Sequence, residues 1–524
     1  MKSNHTILLI FIFFLLTSTS LISQTADIIL KHGKILDGTG NSWFIGDIAI
    51  QNGKIIKMGN LSKWQAVKTI DATGLIVAPG FIDIHTHIED DEKKNPLASN
   101  FIYDGVTSVI TGNCGLSEVN LGKYLSMIDS LKVSVNIAAL IGHNNIRKAV
   151  MGAANREPNE AEMQQMEALV EQAMKDGAMG LSTGLIYIPG AYAKTIEIVR
   201  LAKIAARYNG VYASHMRDEG DAIIEAIEEA LTIGRSANIP VEISHFKLSG
   251  QQNWGRSKET IPMIIKAREA GLDVTIDQYP YTASSTSLST LLPDWILADG
   301  QDSIKARLAN ASIRKETKQY MLQKLKRRKL SHFSYPFVAS FKADSSLNGK
   351  NIEAINLLKG RKHAAKAEAE TILEMMEQGG AGMVFHGMSD ADVKAIMRYP
   401  FNMFASDASI RIYNQGNPHP RGYGTNARVL GKYVREENII SLEEAIRRMT
   451  SLPAQKFNLK QRGLLREGYA ADIVVFDEKT VSDLSTYDQP HQYSTGFKYV
   501  LVNGAIALAE GKQTTIRSGI ALRN

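Results

Sequence analysis

Short apolar runs alternate with helical stretches through the middle of the chain. Two of the helical stretches are NEAEMQQMEALVEQAMKDG (159–177) and DAIIEAIEEALTIGRSA (221–237). Eight strand-plus-helix units of this kind predict an α/β protein with a (β/α)8 barrel, in which catalytic groups sit at the C-terminal ends of the strands. The eight predicted strand runs are LIVAPGFIDIH, GVTSVITGN, SVNIAALIGH, AMGLSTGL, GVYASH, PVEISH, LDVTIDQYPY and PFNMFASD.

The two ends of the chain have a different pattern, with apolar and polar residues alternating between Gly and Asn turns. The N-terminal part contains ADIILKHGKILDGTG and GDIAIQNGKIIKMG, and the C-terminal part contains GYAADIVVFD and KYVLVNGAIALAEGK. Neither end is long enough to bury a stable core alone. We therefore predict that residues 24–78 and 464–524 pair into one small β-sandwich domain beside a barrel at residues 79–463.

Residues from about 285 to 378 do not follow the strand-and-helix repeat. This stretch is helical in pattern and rich in lysine, as in KQYMLQKLKRRK. We predict an insertion between the last two barrel strands. It either covers the barrel mouth as a lid or carries a solvated charged face.

The N-terminus begins MKSNH and continues with ten apolar residues, from Ile7 to Leu16. A membrane span needs about 20 such residues. One early lysine, a short apolar run and the small and polar residues after it are typical of a secretory signal peptide. We place this signal peptide at residues 1–23. The alternative is a buried N-terminal helix. The protein is then exported, to the periplasm or the medium, and no later segment predicts a stable membrane span.

Charge and cysteine content narrow the function further. The formal net charge is +6, from 60 basic and 54 acidic residues. The protein therefore has no strong overall electrostatic field, and nucleic acid is not an expected partner. Cys114 is the only cysteine, which is unusual for an exported chain. Its thiol can pair with a cysteine of another molecule, stay buried and inert, or bind a metal. The sequence does not indicate an oligomeric state.

Several predicted strands end on residues of metal-binding type. In the sequence HTH, the side chains of His85 and His87 point the same way because strand residues alternate faces. A barrel brings all its strand ends to one mouth, and imidazole, thiolate and carboxylate groups together favour zinc. The predicted metal-site residues are His85, His87, Cys114, His215 and His245, with Asp407 beside them.

Longer motifs add a resemblance to a known family. The segment PGFIDIHTH, the strand-end histidines and a late SD resemble the amidohydrolase superfamily. The segments GNCG, GLSTGLIYIPG, SHMRDEG, EISHFKLSG, DQYPYTASST and HPRGYGTNARVLG resemble, more narrowly, the N-acyl-D-amino-acid deacylases, or D-aminoacylases. The match runs from about Ala26 to the C-terminal strands, without most of the insertion.

The resemblance implies a metal arrangement and a substrate. Many amidohydrolases use a carboxylated lysine on the fourth strand, but GAMGLSTGLIY contains no lysine. The resembled family uses the cysteine after the second strand instead. This implies one tightly bound zinc on Cys114, His215 and His245, with a second site possible at His85 and His87. The implied substrates are N-acyl amino acids, and the preference for D over L rests on the resemblance alone.

Asp407 is the expected general base and acid, because amide hydrolysis needs a proton carrier beside the metal; its alternative role is that of a ligand. The substrate carboxylate needs cationic partners, for which we select Lys247 and Arg421. Tyr279 and Ser284 match substrate-binding positions of the resembled family. For all four residues, structural hydrogen bonding is the alternative role.

Three further polar residues, His143, Arg217 and Glu219, are expected to orient or brace their neighbours. The alternative activities are cleavage of a dipeptide that contains a D-residue and cleavage of a cyclic amide. A binding protein without catalysis is the third alternative.

Overall fold

The computed structural model describes residues 25–524. The predicted signal peptide, residues 1–23, lies outside the described residues. Within the described part of the chain, no helix combines the length and the apolar character needed to cross a membrane.

The strands, in chain order, are β1 (Thr25–Ile35), β2 (Phe44–Gln51), β3 (Lys54–Gly59), β4 (Gln65–Asp71), β5 (Ile76–Pro79), β6 (Phe81–Asp83), β7 (Val106–Thr111), β8 (Asn136–Ala139), β9 (Ile141–Gly142), β10 (Gly180–Gly184), β11 (Val211–His215), β12 (Val241–Ile243), β13 (Val274–Gln278), β14 (Ala283–Ser287), β15 (Pro336–Ser340), β16 (Gly382–His386), β17 (Asn402–Phe404), β18 (Ile473–Phe476), β19 (Phe497–Val502), β20 (Ala505–Ala509) and β21 (Lys512–Gln513).

The α-helices are α1 (Asp91–Lys94), α2 (Ser99–Ile102), α3 (Leu121–Leu131), α4 (His143–Met151), α5 (Glu160–Lys175), α6 (Thr195–Ala206), α7 (Ile223–Ala237), α8 (Ser257–Glu269), α9 (Asp294–Leu297), α10 (Gln301–Ala309), α11 (Ala311–Arg327), α12 (Ile352–Leu358), α13 (Ala365–Glu377), α14 (Asp390–Met397), α15 (Arg421–Arg428), α16 (Leu442–Met449) and α17 (Ser451–Lys456).

A closed parallel barrel occupies the middle of the chain. Strand β6 pairs with β7 and β7 with β8, while β9, β10, β11, β12, β13 and β17 follow one another in a second ladder. Strands β8 and β9 are two halves of one barrel strand, interrupted at Leu140. A parallel bridge between Thr86 and Ala408 closes the circle next to β6 and β17. The predicted (β/α)8 architecture is therefore confirmed.

Local sequence explains where the barrel helices begin and which face they bury. In α5, the Asn159 side chain accepts a hydrogen bond from the Glu162 N–H, and Glu162 reciprocates at the Asn159 N–H, which is a capping box. The helix then buries Met163, Met166 and Val170 at helical spacing. The strands are buried on both faces, as parallel strands covered by helices must be.

The two chain ends meet in one nine-stranded sheet, with the order β21-β20-β19-β18-β5-β1-β2-β3. It branches at β1, whose first half pairs with β4 and whose last residues pair with β5. Both branches pack on one apolar core, which includes Leu30, Ile70 and Ile473. An isolated antiparallel β-bridge joins Lys54, in the edge strand β3, to Ala470, just before β18. The edge of the sheet at β3 therefore lies close to β18. The sheet thus folds over itself as a sandwich does.

The insertion lies between β13 and β17, the last two barrel strands. It contains α9 to α13, as its helical pattern predicts, and also a three-stranded antiparallel sheet in the order β14-β16-β15. It has its own apolar core, with Leu308, Leu373 and Met383 among the fully buried side chains. The insertion is thus a packed layer with its own core, while charged side chains of its lysine-rich stretch, such as Lys315 and Lys326, are exposed to solvent.

Candidate metal centre

The six strand-end residues selected from the sequence meet at one end of the barrel. His215 is the last residue of β11, and the others follow β6, β7, β12 and β17 within a few residues. All are buried except His87, whose side chain is 28 % exposed. Three overlapping groups have ligand atoms within 4.8 Å of one another: His85, His87 and Cys114; Cys114, His215 and His245; His85, His245 and Asp407.

Backbone strain is concentrated at three of these residues. Cys114, His245 and Asp407 have φ angles of 53°, 35° and 49°, which residues other than glycine adopt rarely. Such conformations persist where the surrounding structure enforces them, and they cluster at functional sites. Gly115 follows Cys114 with φ 75°, and an added Cβ would lie 2.0 Å from the Asn144 Oδ1 atom. Glycine is therefore required where the chain turns away from the thiol.

The distances around Cys114 fit a metal ion. Its Sγ lies 3.4 Å from His215 Nδ1, 3.6 Å from His245 Nε2 and 3.3 Å from His85 Nε2. Tetrahedral zinc, with Zn–S near 2.3 Å and Zn–N near 2.0–2.1 Å, places its sulfur and nitrogen ligands about 3.5 Å apart. A thiolate and two imidazoles at this separation form a zinc-type ligand set.

A second ligand group lies beside the first and shares residues with it. Asp407 Oδ1 lies 3.3 Å from His87 Nε2 and 3.7 Å from His85 Nε2. His85 therefore faces both Cys114 and Asp407. The two groups are adjacent, so the donor set fits one ion at Cys114 and a second ion at His85 and His87.

Two buried carboxylates orient the imidazoles. Asp277 accepts the His245 backbone N–H at 2.9 Å and lies 3.2 Å from His85 Nδ1. Glu219 Oε1 lies 2.9 Å from His245 Nδ1. When Nε2 of His245 faces the metal, its Nδ1 carries the proton and donates to Glu219, which fixes the tautomer.

The electrostatics of the centre favour ionised ligands. Burial alone raises the pKa of the Cys114 thiol, but His85 and His215 outweigh burial and hold that pKa well below its usual value. Burial also raises the pKa of Asp407, whereas Arg421 and the hydrogen bond from His87 bring it well below the usual range. Both shifts favour the thiolate and carboxylate forms, which are the forms that bind a cation.

A cavity of about 1070 Å³ opens above the centre. Its walls include Lys247, Tyr279, Ser284 and Arg421, the four residues selected for substrate binding. Ser284 belongs to β14, so the insertion supplies part of the wall. Within residues 25–524, the buried Tyr279 hydroxyl has no hydrogen-bond partner. That hydroxyl is a free polar group in a largely formed pocket.

Both cationic residues of the pocket already have carboxylate neighbours. Arg421 Nη1 lies 2.9 Å from Asp407 Oδ2, and its guanidinium stacks on the Tyr279 ring at 4.4 Å. Lys247 Nζ lies 2.5 Å from Glu219 Oε1. Each cation is thus held in place between the metal centre and the cavity.

His143 and Arg217, two other polar residues selected from the sequence, pair with carboxylates outside the group of six strand-end residues. His143, the first residue of α4, has its Nε2 atom 2.8 Å from Glu197 Oε1. Arg217 pairs with Glu229 at 2.9 Å and donates to the backbone carbonyls of Ala191 and Ala193. These contacts brace loops and touch no metal ligand.

Sequence reasoning missed two residues of the site. Asp277 is the residue before the last one of β13 and opens the DQYPY motif, so its position was a usable signal for a carboxylate at the mouth. Tyr187 packs its ring 4.7 Å from the His215 ring and bonds Thr286 of the insertion at 2.9 Å. It lies in a loop after β10, where no periodic pattern marks it.

The sequence of this chain also matches a known protein family. The model of the amidohydrolase family matches residues 68–283 and 353–508. The unmatched interval, 284–352, covers much of the insertion. The family match confirms the resemblance derived from the motifs.

Individual relatives are similar over nearly the whole chain. A D-aminoacylase from Alcaligenes xylosoxydans xylosoxydans is 34 % identical, with 95 % of this chain and 98 % of the relative covered. An N-acyl-D-glutamate deacylase from the same organism is 33 % identical over 92 % of this chain and 93 % of the relative.

Solved structures have the same fold. A D-aminoacylase described as having a binuclear metal centre, with activation by one metal and attenuation by the second, matches with a TM-score of 0.81 at 34 % identity, covering 95 % of this chain and 100 % of that chain. An N-acyl-D-glutamate deacylase from Bordetella bronchiseptica, complexed with zinc and a phosphonate mimic of the tetrahedral intermediate, matches with a TM-score of 0.81 at 33 % identity, covering 96 % of this chain and 100 % of that chain.

Proposed function

The chain belongs to the amidohydrolase family, and on this basis we propose that it is a zinc-dependent hydrolase that removes the acyl group from N-acyl-D-amino acids. The observation that carries the proposal is the set of Cys114, His215 and His245 at zinc-like separations beneath a cavity that also exposes Asp407. Relatives of 33–34 % identity are a D-aminoacylase and an N-acyl-D-glutamate deacylase, and the N-acyl-D-glutamate deacylase from Bordetella bronchiseptica has been solved with zinc.

We propose that Cys114, His215 and His245 hold the tightly bound ion, and that His85 and His87 form a weaker second site. Zinc in such a site activates a water molecule and polarises the amide carbonyl. The imidazoles of His85 and His245 are oriented by Asp277 and Glu219, so these two side chains need little rearrangement when an ion binds.

Asp407 serves as the proton carrier in this proposal. Its lowered pKa keeps the carboxylate ionised at neutral pH, so it can accept the proton of the attacking water. It then gives that proton to the departing amine nitrogen. The guanidinium of Arg421 holds Asp407 in position through the 2.9 Å ion pair.

Substrate recognition rests on the cationic and hydroxyl groups of the cavity. The free α-carboxylate of an N-acyl amino acid needs a forked or charged donor set, which Arg421, Lys247, Tyr279 and Ser284 offer together. The preference for the D-configuration comes from the relatives. No single contact of this chain decides it.

The size of the cavity favours a second candidate substrate. Small-molecule pockets span about 300–1000 Å³, and this one measures about 1070 Å³. A dipeptide that contains a D-residue therefore fits the same centre with the same chemistry.

The experiment that tests the function measures amine release from matched D- and L-substrates. Purified residues 24–524, loaded with zinc, are given N-acetyl-D- and N-acetyl-L-amino acids with neutral and acidic side chains, a dipeptide with a D-residue and a cyclic amide. Turnover of the N-acetyl-D compounds, lost in the Cys114→Ala variant, is the expected result. If the dipeptide or the cyclic amide is the preferred substrate, that compound replaces the N-acyl-D-amino acid in the proposal. If the zinc-loaded protein turns over none of these compounds, the proposal is wrong.

We also propose that the protein is exported. The proposal is supported by the ten apolar residues from Ile7 to Leu16 and the small-residue exit after them. Expression of the full chain in a Gram-negative host, followed by fractionation and N-terminal sequencing, tests it. A mature N-terminus near residue 24 in the periplasm or medium is expected, and an intact N-terminus in the cytoplasm contradicts the proposal.

A further inference from the structure

A second group of metal-binding side chains lies within the insertion, apart from the barrel centre. It consists of His332 in the loop before β15, Glu353 in α12, His363 just before α13, and Glu368 in the first turns of α13. One ligand atom from each residue lies within 4.8 Å of the others. None of the four residues lines the cavity above the barrel.

The contacts within this cluster join each imidazole to a carboxylate. His332 Nδ1 lies 2.6 Å from Glu368 Oε1 and 3.9 Å from Glu353 Oε1, and His363 Nε2 lies 2.5 Å from Glu353 Oε1. The two imidazole rings stack with centroids 4.1 Å apart. Two nitrogen and two oxygen donors therefore converge from four separate places in the insertion.

The chemistry of these donors selects a borderline divalent ion. Zinc takes imidazole nitrogen and carboxylate oxygen at about 2.0–2.2 Å in tetrahedral geometry, which separates the ligand atoms by about 3.3 Å. The observed separations lie on both sides of that value, so side-chain shifts of a few tenths of an ångström to about 1 Å complete the shell. Two carboxylates balance the charge of one divalent ion.

Burial anchors one side of the cluster and leaves the other open. The Glu368 side chain is fully buried, and its second oxygen accepts the Phe333 N–H at 2.7 Å. The side chains of His363 and His332 are 52 % and 28 % exposed, which gives an ion a path in from solvent. A fixed carboxylate with adjustable ligands on the solvent side is a workable metal site.

We propose that His332, Glu353, His363 and Glu368 bind one zinc-class ion, separate from the catalytic centre, that ties the loop before β15 to α12 and α13. This loop follows α11, whose C-terminal residues Lys324 and Arg327 line the cavity. The ion thus has a structural role: it fixes the segment behind one wall of the cavity.

Cobalt titration of the metal-free full-length chain separates this site from the catalytic one, because only the catalytic site contains a thiolate. Wild-type protein is expected to bind one more equivalent of cobalt than the His332→Ala/His363→Ala double variant, with the same thiolate-to-cobalt absorption in both. The matched control is His32→Ala, which removes an exposed imidazole whose Nδ1 lies 3.3 Å from Asp71 Oδ1. The cobalt stoichiometry of this variant should equal that of the wild type.

Zinc content after dialysis into metal-free buffer gives a second measurement, in which the wild type should retain one more zinc per chain than the double variant. Glu353→Gln keeps the size of the side chain and removes an anionic ligand, so it serves if the double variant does not fold, and it should also lose the additional zinc. Equal cobalt and zinc stoichiometry in the wild type and in a folded variant overturns the proposal. Loss of the thiolate absorption together with the additional equivalent also overturns it, because the two sites would then not be independent.

Discussion

Replacing Asp407 by asparagine should abolish most of the catalytic rate while leaving the metal ligands Cys114, His215 and His245 in place. The amide has nearly the same shape as the carboxylate but cannot accept the proton of the attacking water. A positioned general base contributes about 10²- to 10⁴-fold to the rate, or about 2.7–5.4 kcal/mol of barrier. The expected loss is in kcat, with KM changed by less than about threefold, because the cavity residues other than Asp407 remain.

The same substitution affects stability through Arg421. Its guanidinium, with a side chain 4 % exposed, loses the charge of its partner at 2.9 Å. Removing one member of a buried pair costs about 3–5 kcal/mol, but the asparagine oxygen still accepts a hydrogen bond, so a loss of about 1–3 kcal/mol is expected. Urea unfolding measures this loss, and the zinc content of the purified variant must be checked beside it.

The pH dependence follows from the sign of the pKa shift. The pKa of Asp407 is lowered in the folded protein, so its ionised form contributes stability above about pH 4, the ordinary pKa, and that stability is lost as the pH falls. The asparagine variant should therefore lose less stability on acidification than the wild type.

The kinetic result decides the catalytic role. If the Asp407→Asn variant retains more than a tenth of the wild-type kcat with zinc bound, Asp407 is not the proton carrier.

Other substitutions test the ligands and the scaffold. Cys114→Ser should lower the zinc content of dialysed protein by about one equivalent relative to the wild type, since a hydroxyl replaces the thiolate; metal analysis checks this, and a zinc content equal to that of the wild type contradicts it. Glu219→Gln should weaken zinc binding about 10- to 100-fold, because the carboxylate that accepts the His245 Nδ1 proton is lost; competition with a chromophoric chelator measures the change, and an unchanged affinity refutes the orienting role. Arg147→Met should cost about 3–5 kcal/mol of stability by leaving the buried Glu197 without its 3.0 Å guanidinium partner; urea unfolding measures it, and a loss below 1 kcal/mol would show that the buried pair is not needed.

The barrel and the positions of its ligands follow from the sequence because they depend on local pattern. Short buried runs with polar residues at their ends predict both the strands and the mouth to which those ends converge. His85 and His87 share a direction because strand residues alternate faces. Cys114 is recognisable since it stands at the end of the second run as the only cysteine.

The pairing of charged groups across the mouth does not follow from the sequence. Asp407 and Arg421 are separated by a loop whose path sets their 2.9 Å contact, and Lys247 meets Glu219 from a neighbouring strand. Such contacts depend on loop geometry and packing, which periodicity does not encode. The sequence predicted that cationic side chains line the pocket, but only the structure shows which carboxylates they pair with.

The insertion shows the same limit in its secondary structure. Its helices carry a recognisable pattern, but β14 has the sequence ASSTS, which is too polar to predict a strand. It becomes a strand by pairing with β16, which comes about a hundred residues later in the chain. Long-range pairing decides this element, and it also brings Ser284 into the cavity wall.

The measurement that tests the central claim most directly is the activity of metal-free protein as zinc is returned. The account predicts that chelation abolishes hydrolysis of an N-acetyl-D-amino acid and that activity rises with added zinc to a maximum near one equivalent, with the L-enantiomer unreactive throughout. Hydrolysis that continues at the same rate after complete removal of the metal contradicts the account.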